Sequence, residues 1–352
     1  MSFFILKYFL LPVVLKQFFD ICISLFRHFC FYKPMKLDLD QHRKSGDQPA
    51  DDFVNDYFSV QEKKIKLDSA LKNLIKNSDW SSFIHEIPEA KWFDETFNDF
   101  NFIQPQIRTK ALQFYNKRSA YILQLLGMLS LPYCYAAADG AKVLYQTERM
   151  YKDVAKRLEE TGLFVAEMMN PNAFGAEGSG KIQLFKVRLM HAAARFYIQK
   201  GNWDMKLGLP VNQEDMAGTN LSFSLIVIRG LRKMGFVINH DEQMSYLKYW
   251  SWIGAMLGLN QALLPQNGKD AHDLEIAISQ RQFKPSEEGT QLTDSLLKCF
   301  YSLNDEKQIK NSEIAGFMRF LLGNRVANIL ALPANNFPLS KQILLKLKVA
   351  VA

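Results

Sequence analysis

The chain has 352 residues, of which 48% are hydrophobic and 13% aromatic, so it can bury a large core and is not disordered as a whole. The net charge is +7, but no run of lysines and arginines with interleaved aromatic residues accompanies it. We therefore interpret the charge as solvated surface and do not predict nucleic-acid binding.

The four cysteines bear on metal binding and on the compartment. None lies in a C-x-x-C or C-x-x-C-H spacing, which argues against a zinc knuckle and against covalently attached haem. Such sparse thiols suit a reducing compartment, and we predict a cytoplasmic location.

Residues 1–34 are apolar and aromatic, but charged residues interrupt them and Pro12 breaks the helical pattern. A spanning helix needs about 20 mainly apolar residues, and a secretory signal would show a small-residue cleavage site that is missing here. Three alternatives stay open: a poor membrane anchor, an interfacial segment, or upstream sequence that is not translated, with Met35 as the start. Membrane association through this segment is therefore one alternative.

Helical patterns dominate after a polar stretch at 35–60, which we predict to be a mobile leader. The glycine-rich stretch 173–181 lacks the spacing of a phosphate-binding loop and is predicted to join two helices. Alternating strand patterns are scarce, so we predict an all-α helical bundle forming a single domain over residues 61–340. Apolar periodicity predicts helices at 60–76, 119–146 with a kink at Pro132, 147–171, 181–201, 219–235, 243–259 and 313–333, and Asn212 as a helix start.

The stretch RLMHAAARF places His191 on a helical stripe with Leu184, Val187, Ala194 and Ile198. An arginine lies about one turn before and after the histidine, and the nearby cations favour a neutral imidazole, the form that ligates a metal. The alanines leave room for a flat group, and guanidinium groups can hold carboxylates. An iron porphyrin has all these parts, but a core histidine bonded to a carbonyl explains the pattern as well.

A second candidate pair lies upstream, where Arg157 and Thr161 share one face of a helix. Lys156 and Glu160 have the same spacing. On spacing alone, both pairs are typical of an ordinary amphipathic helix surface.

Several runs of the sequence together resemble a known family, the latex-clearing (rubber) oxygenases and the related endoplasmic-reticulum-bound oxygenase of mycophenolic acid biosynthesis. The resemblance extends from about residue 80 to 335 and implies a globin-like helical core that holds a non-covalent b-type haem. It rests on RLEETGLFVAEMMNP, RLMHAAARF, W-x(4)-G-x-P-x-N-Q-x-D-M from Trp203 to Met216, SWIGAMLGL and LLGNRVANILALP.

The resemblance also implies roles for individual residues. His191 matches the proximal iron ligand, and Arg188 and Arg195 match arginines near that ligand, where we expect them to bind the haem. Arg157 and Thr161 match residues of the helix over the haem. Arg325 resembles a late arginine of the family, which we also expect to bind the cofactor.

One position departs from the family, because Glu160 stands where rubber-cleaving members can place a lysine. This puts rubber cleavage itself in doubt, and it makes Glu160 a candidate proton acceptor or iron neighbour, to which Thr161 can bond. We expect a haem b oxygenase that uses dioxygen to convert an alkene of a small hydrophobic substrate, such as an isoprenoid, into carbonyl products. The alternatives are a non-catalytic haem protein (a sensor, store or electron carrier) and a helical interaction protein without haem.

Overall fold

The computed structural model describes residues 37–99, 103–147, 153–304 and 309–351, so the predictions for residues 1–34 lie outside the described part of the chain. Residues Asp38–Ala352 form one compact unit. Its helices are, in chain order, α1 (Leu39–Arg43), α2 (Gln48–Phe58), α3 (Gln61–Asn73), α4 (Trp80–Glu86), α5 (Trp92–Asp99), α6 (Pro105–Asn116), α7 (Ser119–Leu125), the π segment (Leu126–Ser130), α8 (Leu131–Tyr135), α9 (Ala138–Gln146), α10 (Val154–Met168), α11 (Gly180–Lys200), α12 (Gln213–Phe223), α13 (Leu225–Met234), α14 (His240–Met256), α15 (Gly268–Gln282), α16 (Glu287–Leu303), α17 (Asn311–Leu322), α18 (Asn324–Ile329) and α19 (Leu339–Val351).

The prediction of an all-α fold is confirmed. Within the described ranges the only β-like feature is one antiparallel bridge between Ala137 and Phe283. Asn212 begins α12 as predicted, with its side chain accepting a hydrogen bond from the backbone N–H of Asp215. The globin-like detail of the core stays a prediction.

The predicted mobile leader at 35–60 is wrong for most of its length, because α1 and α2 pack into the fold. Phe53, Val54 and Tyr57 lie buried on one face of α2. Arg43 at the end of α1 is also buried, and its guanidinium lies 3.0 Å from Asp139 and 3.1 Å from Asp215. The polar composition of this segment reflects buried ion pairs, which a count of polar residues does not distinguish from a solvated leader.

The long apolar stretch at 119–146 is helical from Ser119 to Tyr135, because α7 continues through the π segment into α8. Pro132 lies inside this continuous run, since Ser130 before α8 is itself helical, and the π segment ends directly before the proline. A proline inside a helix removes one helical N–H, so the irregularity predicted at Pro132 is present as this π segment. The chain leaves helical geometry at Ala137. Likewise, the predicted helix at 313–333 divides at Gly323, whose φ of +81° belongs to the left-handed region that favours glycine.

Helix α11 runs through an aromatic core. Phe185 is fully buried, and its ring centroid lies 4.9 Å from that of Trp80 and 5.2 Å from that of Phe93. One turn from its C-terminal end, Phe196 packs edge-on against Phe58 of α2. These contacts fix α11 between the N-terminal helices and the rest of the fold.

No helix in the described ranges is both long and apolar enough to cross a bilayer.

We predict that Phe185→Ala lowers the free energy of unfolding by about 3–5 kcal/mol, because it removes a ring from a closely packed aromatic cluster. Met190→Ala on the same helix is the matched control, since the Met190 side chain is exposed. Denaturant titration of both variants tests this prediction. Equal losses of stability would contradict the assignment of Phe185 to the core.

Candidate functional site

The predicted stripe on α11 is only partly enclosed. Leu184 is fully buried, but Val187, His191, Ala194 and Ile198 all keep part of their surface accessible. The enclosed part of the histidine ring includes Nδ1, which has no hydrogen-bond partner among the described residues. The stripe thus borders a space beside the imidazole, and Nδ1 is not held by a carbonyl as a purely structural histidine would be.

The surroundings of His191 favour its neutral form. Burial, and after it the nearby guanidinium groups of Arg195 and Arg157, together lower the pKa of the imidazole from 6.5 to about 3. Arg157 lies on α10, which contacts α11, the helix of His191. A neutral imidazole at neutral pH is the form that can donate a lone pair to a metal.

Arg188 is held by protein groups. Its Nε lies 2.5 Å and its Nη2 2.8 Å from the two carboxylate oxygens of Asp47, and its Nη1 donates to the hydroxyl of Thr96. The backbone of Gly258 covers the pair so closely that a Cβ there would lie 2.3 Å from Asp47 Oδ2. We therefore reassign Arg188 from cofactor binding to the attachment of α11, because its bidentate partner is an aspartate of this chain.

Arg195 has a different set of contacts. Its Nε donates to Asp51 Oδ1 at 2.6 Å, and its Nη1 donates to the carbonyl of Val211 at 2.9 Å. The residue is 1% exposed, yet no group in the described ranges accepts a hydrogen bond from its Nη2. A buried cationic donor without a partner is costly unless a ligand completes it.

Val211 marks strain beside Arg195. Its φ of +50° is an unusual value for a β-branched side chain. Such strain persists where the surrounding structure enforces it, often at functional sites. Here the strained residue supplies the carbonyl that orients the Arg195 guanidinium.

Of the candidate residues on α10, Arg157 has a buried guanidinium nitrogen and Glu160 is exposed. Nε of Arg157 is buried without a partner among the described residues, and Nη1 lies 3.8 Å from the carboxylate of Glu160. Glu160 is exposed on α10. The Thr161 hydroxyl donates to the carbonyl of Arg157 at 2.8 Å, so the expected bond from this hydroxyl to Glu160 is not made.

Arg325 belongs to another polar cluster, and the structure gives no support to its predicted role in cofactor binding. Its Nη2 donates to the carbonyl of Ser279 on α15, and its charge acts on the phenol of Tyr133. That phenol donates to Glu275, which also accepts from Arg229. These contacts place Arg325 of α18 beside α15, and its role in cofactor binding stays a prediction.

Sequence reasoning missed Asp47 and Asp51, the two carboxylates that hold the arginines. The aspartates are four residues apart and lie on one side of the start of α2. Arg188 and Arg195 are seven residues apart and lie on one side of α11. The polar composition around them led to the leader prediction instead. Two aspartates on one side of a helix start, together with two arginines on one side of an apolar helix, are the signal that could have found them.

The His191 site, defined as His191, Arg195 and Arg157, fits a haem. The described ranges hold no group of three or more His, Cys, Asp or Glu side chains placed to bind a metal ion, but haem iron needs a single protein ligand. A neutral imidazole supplies that ligand. Two enclosed guanidinium N–H groups without partners, one on Arg195 and one on Arg157, suit the carboxylates of a porphyrin.

We predict that Asp47→Ala lowers the free energy of unfolding by about 3–5 kcal/mol, because it leaves the Arg188 cation buried without its carboxylate. Asp52→Ala is the control on the same helix, since Asp52 is exposed. Chemical denaturation measures both. A loss no larger than that of the control would contradict the role of the pair, and a double replacement, Asp47→Leu with Arg188→Met, should recover much of the stability.

We predict that the haem-free protein loses stability in acid through His191. The unfolded state takes up a proton below pH 6.5, whereas the folded state resists protonation down to about pH 3. Stability from this group is therefore complete above 6.5 and falls as pH drops through that window. Urea unfolding of wild type and His191→Leu at about pH 8 and about pH 5 tests this, and the variant should lose less stability. Equal losses in both proteins would contradict the burial of a neutral imidazole.

Comparison with known proteins supports the resemblance seen in the sequence. A rubber oxygenase from Streptomyces sp. (strain K30) is 24% identical over 227 residues, which are 63% of this chain and 55% of that protein. The chain thus spans about half the length of the curated relative it matches. The solved structure of the latex clearing protein LCP in the closed state shares the fold, with a TM-score of 0.69 at 18% identity over 88% of this chain and 85% of that one.

A family model covers more than half of the chain. It matches residues 116–344, which include both α10 and α11 with the three residues of the His191 site. The model describes the catalytic domain of the ER-bound oxygenases mpaB/B' and the rubber oxygenases, and the chain belongs to this family.

Proposed function

We propose that this protein is a haem b-dependent oxygenase that uses dioxygen to oxidise an alkene in a hydrophobic substrate. The observation that carries the proposal is that three enclosed nitrogens of neighbouring residues have no partner in the described ranges: Nδ1 of His191, Nη2 of Arg195 and Nε of Arg157. Family membership supports the oxygenase class. Buried polar groups are usually hydrogen-bonded, so three such groups on the contacting helices α10 and α11 suit a ligand that supplies the missing partners.

The residues of the His191 site would hold the iron and the porphyrin. His191 would hold the iron, and its low pKa keeps it in the ligating form throughout the neutral range. Arg195 and Arg157 would orient the porphyrin through its carboxylates. Haem bound there would supply the iron at which dioxygen is activated.

Glu160 is the proposed proton acceptor. Its carboxylate lies 3.8 Å from the guanidinium of Arg157, which contributes to the His191 site. Oε2 of this carboxylate would take an allylic proton from the alkene. Thr161, whose hydroxyl is bonded to the helix backbone, would shape the pocket and would not relay a proton.

We predict that protein expressed with haem supplied shows a Soret band that His191→Ala removes or shifts. Arg195→Ala should lower haem retention, whereas Arg188→Ala should act mainly on stability, because the Arg188 guanidinium is bound to Asp47. Visible spectra and unfolding curves of the same samples separate these effects. A folded wild-type protein without a Soret band would overturn the haem assignment and would favour a helical interaction protein.

Oxygen uptake with polyprenoid and unsaturated fatty-acid substrates tests the activity itself. Glu160→Gln should keep the haem and lower oxygen uptake by about 100-fold or more, as loss of a general base does. Glu62→Gln, an exposed change on α3, is the control. Bound haem with no uptake from any alkene, and no carbon monoxide binding after reduction, would favour the non-catalytic haem protein instead.

A further inference from the structure

A cleft of about 460 Å³ lies between α7, the π segment, α10 and α16. We propose that this cleft binds the hydrocarbon chain of the substrate and that Gly162 sets the chain size it admits. The inference rests on the proposed function, because it places the substrate's chain next to the His191 site. The volume falls within the range of about 300–1,000 Å³ that small-molecule sites occupy.

The walls of the cleft suit a hydrocarbon. Leu126, Met128, Leu158 and Phe300 contribute apolar surface. Thr161 also lines it, but its hydroxyl proton is used by the carbonyl of Arg157. The cleft therefore offers little to a polar ligand, and burial of apolar surface is the interaction that it can make.

The polar residues of the cleft mark its mouth. Gln124 and Glu159 both line the cleft and are exposed to solvent. A substrate with a polar end would leave that end at the mouth and insert its chain between the helices. This arrangement fits an amphiphile of limited length, such as a prenyl or fatty chain.

The cleft and the His191 site share helix α10. Thr161 lines the cleft, and Arg157, which contributes to the His191 site, lies four residues earlier on the same helix face. Four residues of helix correspond to a rise of about 6 Å. A substrate chain that reaches Thr161 therefore ends within about one helical turn of Arg157.

Two glycines form part of the wall of the cleft: one is closely packed by a neighbouring side chain, and the other borders open space. A Cβ on Gly127 would lie 2.8 Å from the Phe300 ring, so this glycine lets Phe300 pack against the π segment. A Cβ on Gly162 would meet only Leu123, at an ordinary 3.7 Å. Glycine weakens the middle of a helix relative to alanine, yet here no neighbour requires it. The space in front of Gly162 is the space that we assign to the substrate chain.

Binding of a fluorescent probe, dansylated undecanoic acid, tests the assignment without requiring catalysis. Gly162→Phe should weaken binding about tenfold or more, since its ring would occupy the cleft. Gly162→Leu is a smaller plug that should weaken binding in the same direction. Gly162→Ala should bind as wild type does, and so should Leu163→Phe, which adds the same ring at an exposed neighbouring position.

Circular dichroism and unfolding curves establish that each variant is folded. Absence of saturable probe binding in wild type, or equal affinity in wild type and both plugged variants, would overturn the assignment.

Oxygen uptake on the same samples separates this inference from the proposed function. If the probe binds as expected but no alkene supports uptake, the oxygenase proposal fails and the cleft remains a chain-binding site. If wild type oxidises long-chain and short-chain alkenes and Gly162→Phe oxidises both equally well, the cleft assignment fails and the oxygenase proposal stands. Selective loss of long-chain oxidation in Gly162→Phe supports both.

Discussion

The buried ion pairs between α2 and α11 are the interaction on which the site depends. Asp47 and Asp51 hold Arg188 and Arg195, the two cations that flank His191 by about one turn on either side. Removing water from four charged groups is costly, and the pairing offsets that cost only if all partners stay in place. The position of α11, and with it the direction of His191, is therefore tied to a segment more than 130 residues earlier in the chain.

The two arginines look equivalent in sequence but differ in what they leave free. All three guanidinium nitrogens of Arg188 donate hydrogen bonds, two to the carboxylate of Asp47 and one to Thr96. Arg195 donates from Nε to a carboxylate and from Nη1 to a carbonyl, and its Nη2 has no partner in the described ranges. The Arg195 cation lowers the pKa of the neighbouring His191 imidazole, and its buried Nη2, which has no partner in the described ranges, can still bind an anion. Arg195 can therefore keep His191 uncharged and also serve the proposed binding of a porphyrin carboxylate.

The sequence predicted the elements that repeat a local pattern. Apolar spacing of about four residues identified α3, α10, α11 and α14, and an asparagine with acidic neighbours identified the start of α12, because these signals lie within one or two helical turns. Helix breaks were predicted less completely. The irregularity predicted at Pro132 is present as the π segment directly before it, whereas the break at Ala137 was not predicted.

The candidate site residues divide along the same line. His191 and Arg195 were predicted from the pattern of their own helix, and the resemblance to a family pointed to the same positions. Arg157 was predicted from the resemblance, because its spacing alone is typical of an amphipathic helix surface. Asp47, Asp51 and the strain at Val211 were missed because their role exists only after distant segments meet. Arg325 was assigned by resemblance alone, and the structure places it where its contacts are with α15.

Helix α10 connects the two halves of the proposed chemistry. One face carries Arg157 toward His191, and an adjacent face carries Leu158 and Gly162 along the apolar cleft, with Thr161 at the border. Because successive residues turn by about 100°, a helix can present a charged group to a cofactor and an apolar groove to a substrate within one turn. A shift of α10 would alter both at once, so the packing that fixes this helix also fixes the position of a substrate chain relative to the iron that His191 would hold.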